Sequence, residues 1–283
     1  MKIIDLFDGF KNVYNKHLSI DQLIEAWYNY MQVDEYTRFT CINDYQKEGI
    51  NWIDIAKTKV FNQTHQNFHK MVEVHNKLLD ISENVIDQID DFYDTSNMEV
   101  YIVLYHGLGN AAGWAHKYNN KPAVFLGIDK ICELGWTSTD SLETLLAHEV
   151  AHLVHFHIRK DLIDETRNLY VKGLWQLYTE GFAQYYQDIF LGRVNDPRSD
   201  DWIMKCNFFE KQLKMHYLHQ LRDPNIGCRD FYGDWFKVLE LSDTGYYLGR
   251  KLFEKLTKKY SFLDVANLPF IEIEREILEY LSE

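Results

Sequence analysis

The stretch Thr139-Asp140-Ser141-Leu142-Glu143-Thr144-Leu145-Leu146-Ala147-His148-Glu149-Val150-Ala151-His152-Leu153-Val154 reads as an amphipathic helix with its own start signal. Asp140 and Glu143 are spaced as a helix N-cap and its third residue, so each could satisfy a backbone N–H left open at the helix start. Leu142, Leu145, Leu146, Val150, Leu153 and Val154 recur at helical spacing as the buried stripe, with no Pro or Gly among them. His148 and His152 are four residues apart. On a helix they share a face about 5 to 6 Å apart, near enough for two imidazoles to reach one cation through bonds of about 2.0 to 2.1 Å. Glu149 lies roughly 100° further round, outside the ligand direction but within reach of a water held on the ion. In a chain with 12 His, chance gives this H-E-x-x-H spacing roughly 0.03 times.

Working outward, the chain before this helix turns from helical to extended. From Ser19, a Ser-x-x-Gln capping box precedes Leu23, Ile24, Trp27, Tyr30 and Met31 at helical spacing, and the residues between Asn51 and Tyr93 predict two or three amphipathic helices. Val100 to Tyr105 is a β-rich run ending in Gly107, Gly109 and Asn110, and Ala123 to Ile128 is a second run after the turn-like Tyr118-Asn119-Asn120-Lys121-Pro122. Ala111 to Ala115 between them is expected at the edge of the small sheet. Downstream, a helix is predicted from about Leu174 to Leu191, stopped by Gly192. The polar loop Arg193 to Asp201 is expected as a surface break, followed by helices near Trp202 to Leu221, Gly245 to Tyr260 and Pro269 to Leu281. The expectation is a helix-rich α+β fold. Residues 1–95 would form a helical N-terminal region, and 96–283 a unit with a small sheet, the histidine helix and a C-terminal helical part.

Composition narrows the function classes. The 283 residues are 46% apolar and carry 30 Lys plus Arg against 43 Asp plus Glu, a net charge of −13. A chain of this kind can bury a core, so disorder is not the default. Its negative field opposes nucleic acid and anionic lipid. No run of 18 apolar residues suggests membrane insertion, and the acidic residues in the first 16 positions do not suit a signal peptide, so a cytoplasmic protein is expected. Cys41, Cys132, Cys206 and Cys228 are widely spaced and read as free thiols.

A catalytic zinc takes three protein ligands and keeps one position open. An extended H-x-x-G-x-x-H pattern is excluded, because His155 and Ile158 stand where its Gly and His would be. The other source is a glutamate from a following helix, and Tyr178-Thr179-Glu180-Gly181-Phe182-Ala183-Gln184-Tyr185 supplies Glu180, 28 residues after His152. Gly181 beside it would allow a close approach to the histidine helix.

These motifs resemble the gluzincins, the thermolysin-like and aminopeptidase-like zinc peptidases. HEVAH at 148–152, TEGFAQYY at 179–186 and Asp243-Thr244-Gly245-Tyr246-Tyr247-Leu248-Gly249 are together similar to a bacterial family of predicted zinc-dependent proteases with a domain of unknown function. The likeness spans about Met98 to Leu256, and the helical residues before it carry none. It implies one Zn²⁺ per chain held by His148, His152 and Glu180, Glu149 as general base, and a peptide or protein substrate. It further implies a hydroxyl on the developing oxyanion, from Tyr246 with Tyr247 as rival, and substrate backbone laid along an edge strand around Ala112, Gly113 and Trp114. Thermolysin has an Asp four residues after its glutamate ligand, hydrogen-bonded to a zinc histidine; Gln184 stands there in this chain, and Asp188 is the next acid.

Other residues carry weaker expectations. Arg250, four after Tyr246, would share its helix face and could hold a substrate carboxylate or form an ion pair. His65 and His69, with Glu73 a turn on, allow a second metal site or a solvated helix face. His155 would line the site, and His216 and His219 a helix face. Two further readings use the same residues: a catalytically silent, zinc-stabilised peptide- or partner-binding protein, and a zinc amidohydrolase acting on a non-peptide amide.

Overall fold

Two runs of the chain are buried almost throughout, Ile102 to Tyr105 and Ala123 to Gly127, as strands covered on both faces must be. In a computed structural model, which describes residues 1–159 and 168–283, they are central strands of a four-stranded sheet. The fold is helix-rich α+β, and the chain divides into two compact units, Met1–Glu149 and Val150–Glu283. No helix among the described residues is long and apolar enough to cross a membrane.

The first unit runs β1 (Lys2–Asp5), α1 (Leu6–Val13), α2 (Ile20–Tyr30), α3 (Glu35–Lys47), α4 (Trp52–Ile55), α5 (Phe61–Phe92), β2 (Tyr101–Tyr105), β3 (Gly113–Tyr118), β4 (Lys121–Gly127), α6 (Ile128–Leu134) and the start of α7 (Thr139–Ile158). The sheet order is β1-β2-β4-β3. Parallel pairing sets Ile3 against Ile102 and Val103 against Phe125, and antiparallel β3 sets Trp114 against Phe125. Asn119 and Asn120 both take left-handed φ, 49° and 62°, which gives the two-residue turn that matches hairpin twist. β3 is an edge strand, and its exposed Lys117 suits that place.

Ser19 caps α2 as a complete capping box. A π-helical turn, Ala56–Val60, joins α4 to the 32-residue α5, inserting one residue into an otherwise unbroken rhythm. Two details differ from the sequence expectations. β1 pairs with a strand nearly a hundred residues away, a partnership without local signal. At α7 the helix begins at Thr139, and it is Ser138 rather than Asp140 that caps it, its Oγ accepting from the Ser141 N–H at 3.1 Å.

The second unit contains the end of α7, then α8 (Leu169–Phe190), α9 (Asp200–Phe208), α10 (Glu210–Arg222), α11 (Thr244–Leu256), α12 (Phe262–Ala266) and α13 (Phe270–Ser282). Asn168 caps α8, and Gly192 stops it at φ 61°. The helix expected across Trp202 to Leu221 is two helices, broken at Phe209. α8 and α11 pack closely along their length. Their backbones meet at glycines: a Cβ on Gly181 would lie 2.6 Å from the Gly249 carbonyl oxygen. The close approach foreseen for Gly181 is therefore made to α11, and the small residue on each side is what permits it. Tyr178, Phe182 and Phe253 fill the core beside this crossing.

Candidate metal centre

One turn of α7 carries His148, Glu149 and His152, all less than a tenth exposed. α8 brings Glu180 to them, its side chain 19% exposed and its Oε2 3.2 Å from His152 Nε2. One donor atom from each of His148, His152 and Glu180 lies within 4.8 Å of the others, and among the described residues this is the only group able to hold a metal ion. Two imidazoles and a carboxylate form a donor set that suits a borderline divalent cation. His65 and His69 form no such group; the His65 Nδ1 lies 3.2 Å from the Tyr14 hydroxyl.

Glu149 follows His148 and points elsewhere. The first residue of β3 sits against its carboxylate: a Cβ at Gly113 would be 2.6 Å from Glu149 Oε1 and 2.9 Å from its Cγ. A larger residue here would have to push the Glu149 side chain aside. Trp114 faces the other side of the strand, stacked on Phe125 at 4.2 Å with its indole N–H donated to the Tyr105 hydroxyl.

Of the two tyrosines in the first turn of α11, Tyr247 is buried, its hydroxyl 2.7 Å from both Asn207 Oδ1 and Glu210 Oε2. Burial and the neighbouring Glu210 charge push its phenol up. Tyr246 is half-buried, edge-on to Tyr232 at 5.5 Å. Burial pushes the Tyr232 phenol well up, and the Glu180 charge adds to that, so Tyr232 lies within electrostatic reach of Glu180. Arg250 forms an ion pair with Asp188, 3.0 Å from its Oδ2, and burial pushes the Asp188 carboxyl up to about 6 against the pull of Arg250.

Gln184 donates from Nε2 to Asp196 Oδ2 at 3.0 Å, so α8 turns this position toward the following loop. That loop was expected at the surface, yet the side chains of Asp196 and Arg198 are 3% and 11% exposed. Each is the other's counter-ion at 2.8 Å, which makes the burial affordable for charged groups. Nothing in the local sequence marks them, because a polar run reads as a loop whichever way its side chains turn.

His155 is fully buried, stacked on Phe182 at 4.3 Å, with Nε2 3.2 Å from the Ala266 carbonyl oxygen. Burial pushes its imidazole down to about 3, so it is a neutral packing residue in α7. His216 and His219 are exposed on α10. No family model matches this chain, and no curated protein or solved structure matches it either.

Proposed function

We propose that the protein is a zinc-dependent metallopeptidase of the gluzincin kind, with His148, His152 and Glu180 as ligands to one Zn²⁺ and a peptide or protein as substrate. The observation that carries this reading is the convergence of those three donors within 4.8 Å, with a glutamate beside them that is not part of the donor set. A site built only to stabilise a fold closes its fourth position with a protein ligand and needs no base. A bound Zn²⁺ would supply Lewis acidity, polarising the scissile carbonyl and bringing the pKa of a coordinated water to about 7.

The chain's own residues do the rest. Glu149 takes a proton as the water oxygen bonds to the carbonyl carbon, then delivers it to the amine nitrogen as the C–N bond breaks, leaving a carboxylic acid and a free amine. The Tyr246 hydroxyl donates a hydrogen bond to the oxygen that gains charge in that step. β3, held against Glu149 at Gly113, offers an edge for extended substrate backbone. The four cysteines are free thiols, which suits a reducing compartment, and the cytoplasm is the proposed location.

Elemental analysis of purified protein tests the metal: about one zinc per chain in wild type, and a sharp loss in Glu180→Ala and His148→Ala. Glu149→Gln should keep its zinc while peptide hydrolysis falls by about 10²- to 10⁴-fold. A wild type that takes up no zinc on reconstitution, or a fully active Glu149→Gln, would overturn the reading. Zinc uptake with hydrolysis of small amides but no peptides would reassign the substrate class.

A further inference from the structure

We propose that Arg198 is a positioning residue for Tyr246, anchored through Asp196 and Gln184 to the helix that supplies the metal ligand Glu180. The connection can be followed atom by atom. Gln184 stands one turn after Glu180 on α8 and donates to Asp196 Oδ2 at 3.0 Å. Asp196 receives Arg198 Nη1 on both carboxylate oxygens, at 3.0 and 2.8 Å, and the Arg198 backbone N–H at 2.9 Å. From there the guanidinium carbon lies 4.4 Å from the centre of the Tyr246 ring and 4.9 Å from that of Trp202. Arg198 Nε is 3.7 Å from Asp243 Oδ2 at the start of α11, and Asp243 Oδ1 accepts the Gly233 N–H at 2.8 Å.

Two features separate this arrangement from an incidental ion pair. The guanidinium is largely buried between aromatic faces, where a cation is attracted to each ring and a planar group fixes ring position as a lysine ammonium would not. The backbone next to Arg198 is also strained: Ser199 has φ 110° and ψ 158°, a conformation that non-glycine residues hold only where the surroundings impose it. Asp243, at φ 61°, takes the left-handed conformation that aspartate tolerates and so presents its carboxylate at the start of α11. Burial opposes the charge on Arg198, but Asp196 and Asp243 outweigh it and raise its pKa further, so the cation persists at every working pH. The same chain of contacts accounts for Gln184: an amide can donate to Asp196, and a carboxylate there cannot.

The activity arm rests on the peptidase reading; a second arm does not. In peptide hydrolysis, Arg198→Gln should lower kcat by about 10- to 100-fold, since a displacement near 1 Å costs about 10²-fold, with KM changed less than about threefold. Arg198→Lys should recover part of the loss. In a Tyr246→Phe background Arg198→Gln should cost nothing more, because both act through one hydroxyl. A kcat equal to wild type, or additive losses, would overturn the proposal. The independent arm follows the Tyr246 phenol by NMR of ¹³Cζ-tyrosine in metal-free protein, assigned with Tyr246→Phe. Groups facing Tyr246 include Arg198 before α9, Tyr232 before α11 and Asp243 at the start of α11 itself. Loss of the cation in Arg198→Gln should raise the phenol pKa, with Arg198→Lys close to wild type. An unmoved Tyr246 in both variants sinks the proposal whether or not peptides are cleaved, whereas a moved Tyr246 in a protein without hydrolysis leaves it standing and removes the peptidase reading alone.

Discussion

Substituting alanine for Gly181 should destabilise the protein although it improves the helix. A glycine inside a helix costs about 1 kcal/mol relative to alanine, so on propensity alone Gly181→Ala would stabilise α8. The added Cβ, however, would lie 2.6, 2.8 and 2.9 Å from the carbonyl oxygen, carbonyl carbon and Cα of Gly249. All three are backbone atoms of α11, and none can swing aside as a side-chain end could. Restoring ordinary contact moves the helices apart by roughly 0.7 Å, and a gap of 0.5–1 Å forfeits about a quarter to a half of each contact's attraction along the seam. Overpacking costs about 1–3 kcal/mol, and with three backbone atoms under 3.0 Å the upper part, about 2–3 kcal/mol, applies; after a propensity gain of about 1 kcal/mol the net loss is about 1–2 kcal/mol, or a fall in melting temperature of roughly 2–8 °C. Gly9 supplies the opposite sign: in α1 its Cβ would meet only the Tyr30 ring, at 3.4 Å, so Gly9→Ala should gain about 0.5–1 kcal/mol. Gly249→Ala should cost as much as Gly181→Ala, and the double variant less than the sum, since one separation serves both. Urea unfolding of the metal-free proteins measures all four. A Gly181→Ala variant as stable as wild type would show that the glycine contact is not what sets the spacing of α8 and α11.

At Gly113 the same substitution should separate activity from stability. The clash there is with the Glu149 side chain, at Oε1, Cγ and Cδ, and not with backbone, so Gly113→Ala should cost less stability than Gly181→Ala and keep its zinc, while hydrolysis falls by roughly 10- to 100-fold as the carboxylate is displaced; unchanged turnover would refute the proposed role of Glu149. For His155, the folded value of about 3 lies below the unfolded value of about 6.5, so between them the unfolded chain holds more protons. Its contribution to stability is complete above pH 6.5 and falls by up to about 1.4 kcal/mol per pH unit below it. Unfolding midpoints of metal-free wild type and His155→Gln between pH 7.5 and 4.5 check this, and equal slopes in the two proteins would refute it.

What could be read from the sequence was what short-range chemistry determines. The Ser19 capping box closes within three residues, the Asn119-Asn120 turn within two, and the histidine spacing within one helical turn. Glu180 needed a resemblance to be picked from among the acids, and it lies with the two histidines. What stayed hidden depends on partners far along the chain. Lys2–Asp5 has no turn signals and becomes a strand only because β2 offers it a parallel edge. Gly181 advertises a close approach without naming Gly249 as the other side. Tyr246 and Tyr247 are adjacent and chemically identical, and distant partners distinguish them: Asn207 and Glu210 engage the second hydroxyl, while Arg198 and Tyr232 pack on the first ring.

Gln184 suits its surroundings where a carboxylate would not. A carboxylate at this position would lie about 3 Å from Asp196 Oδ2, where Gln184 Nε2 now lies, and two buried carboxylates at that range cannot both stay ionised. One would have to take up a proton or share Arg198, loosening the guanidinium from the Tyr246 ring. An amide avoids this by donating a hydrogen bond without bringing a charge. The position four residues after Glu180 is thus held by a donor that serves Asp196. The electrostatic organisation of α8 is thereby directed toward the tyrosine side of the proposed site. Beside it, His152 stacks against Phe156 and α8 is held to α11 at Gly181.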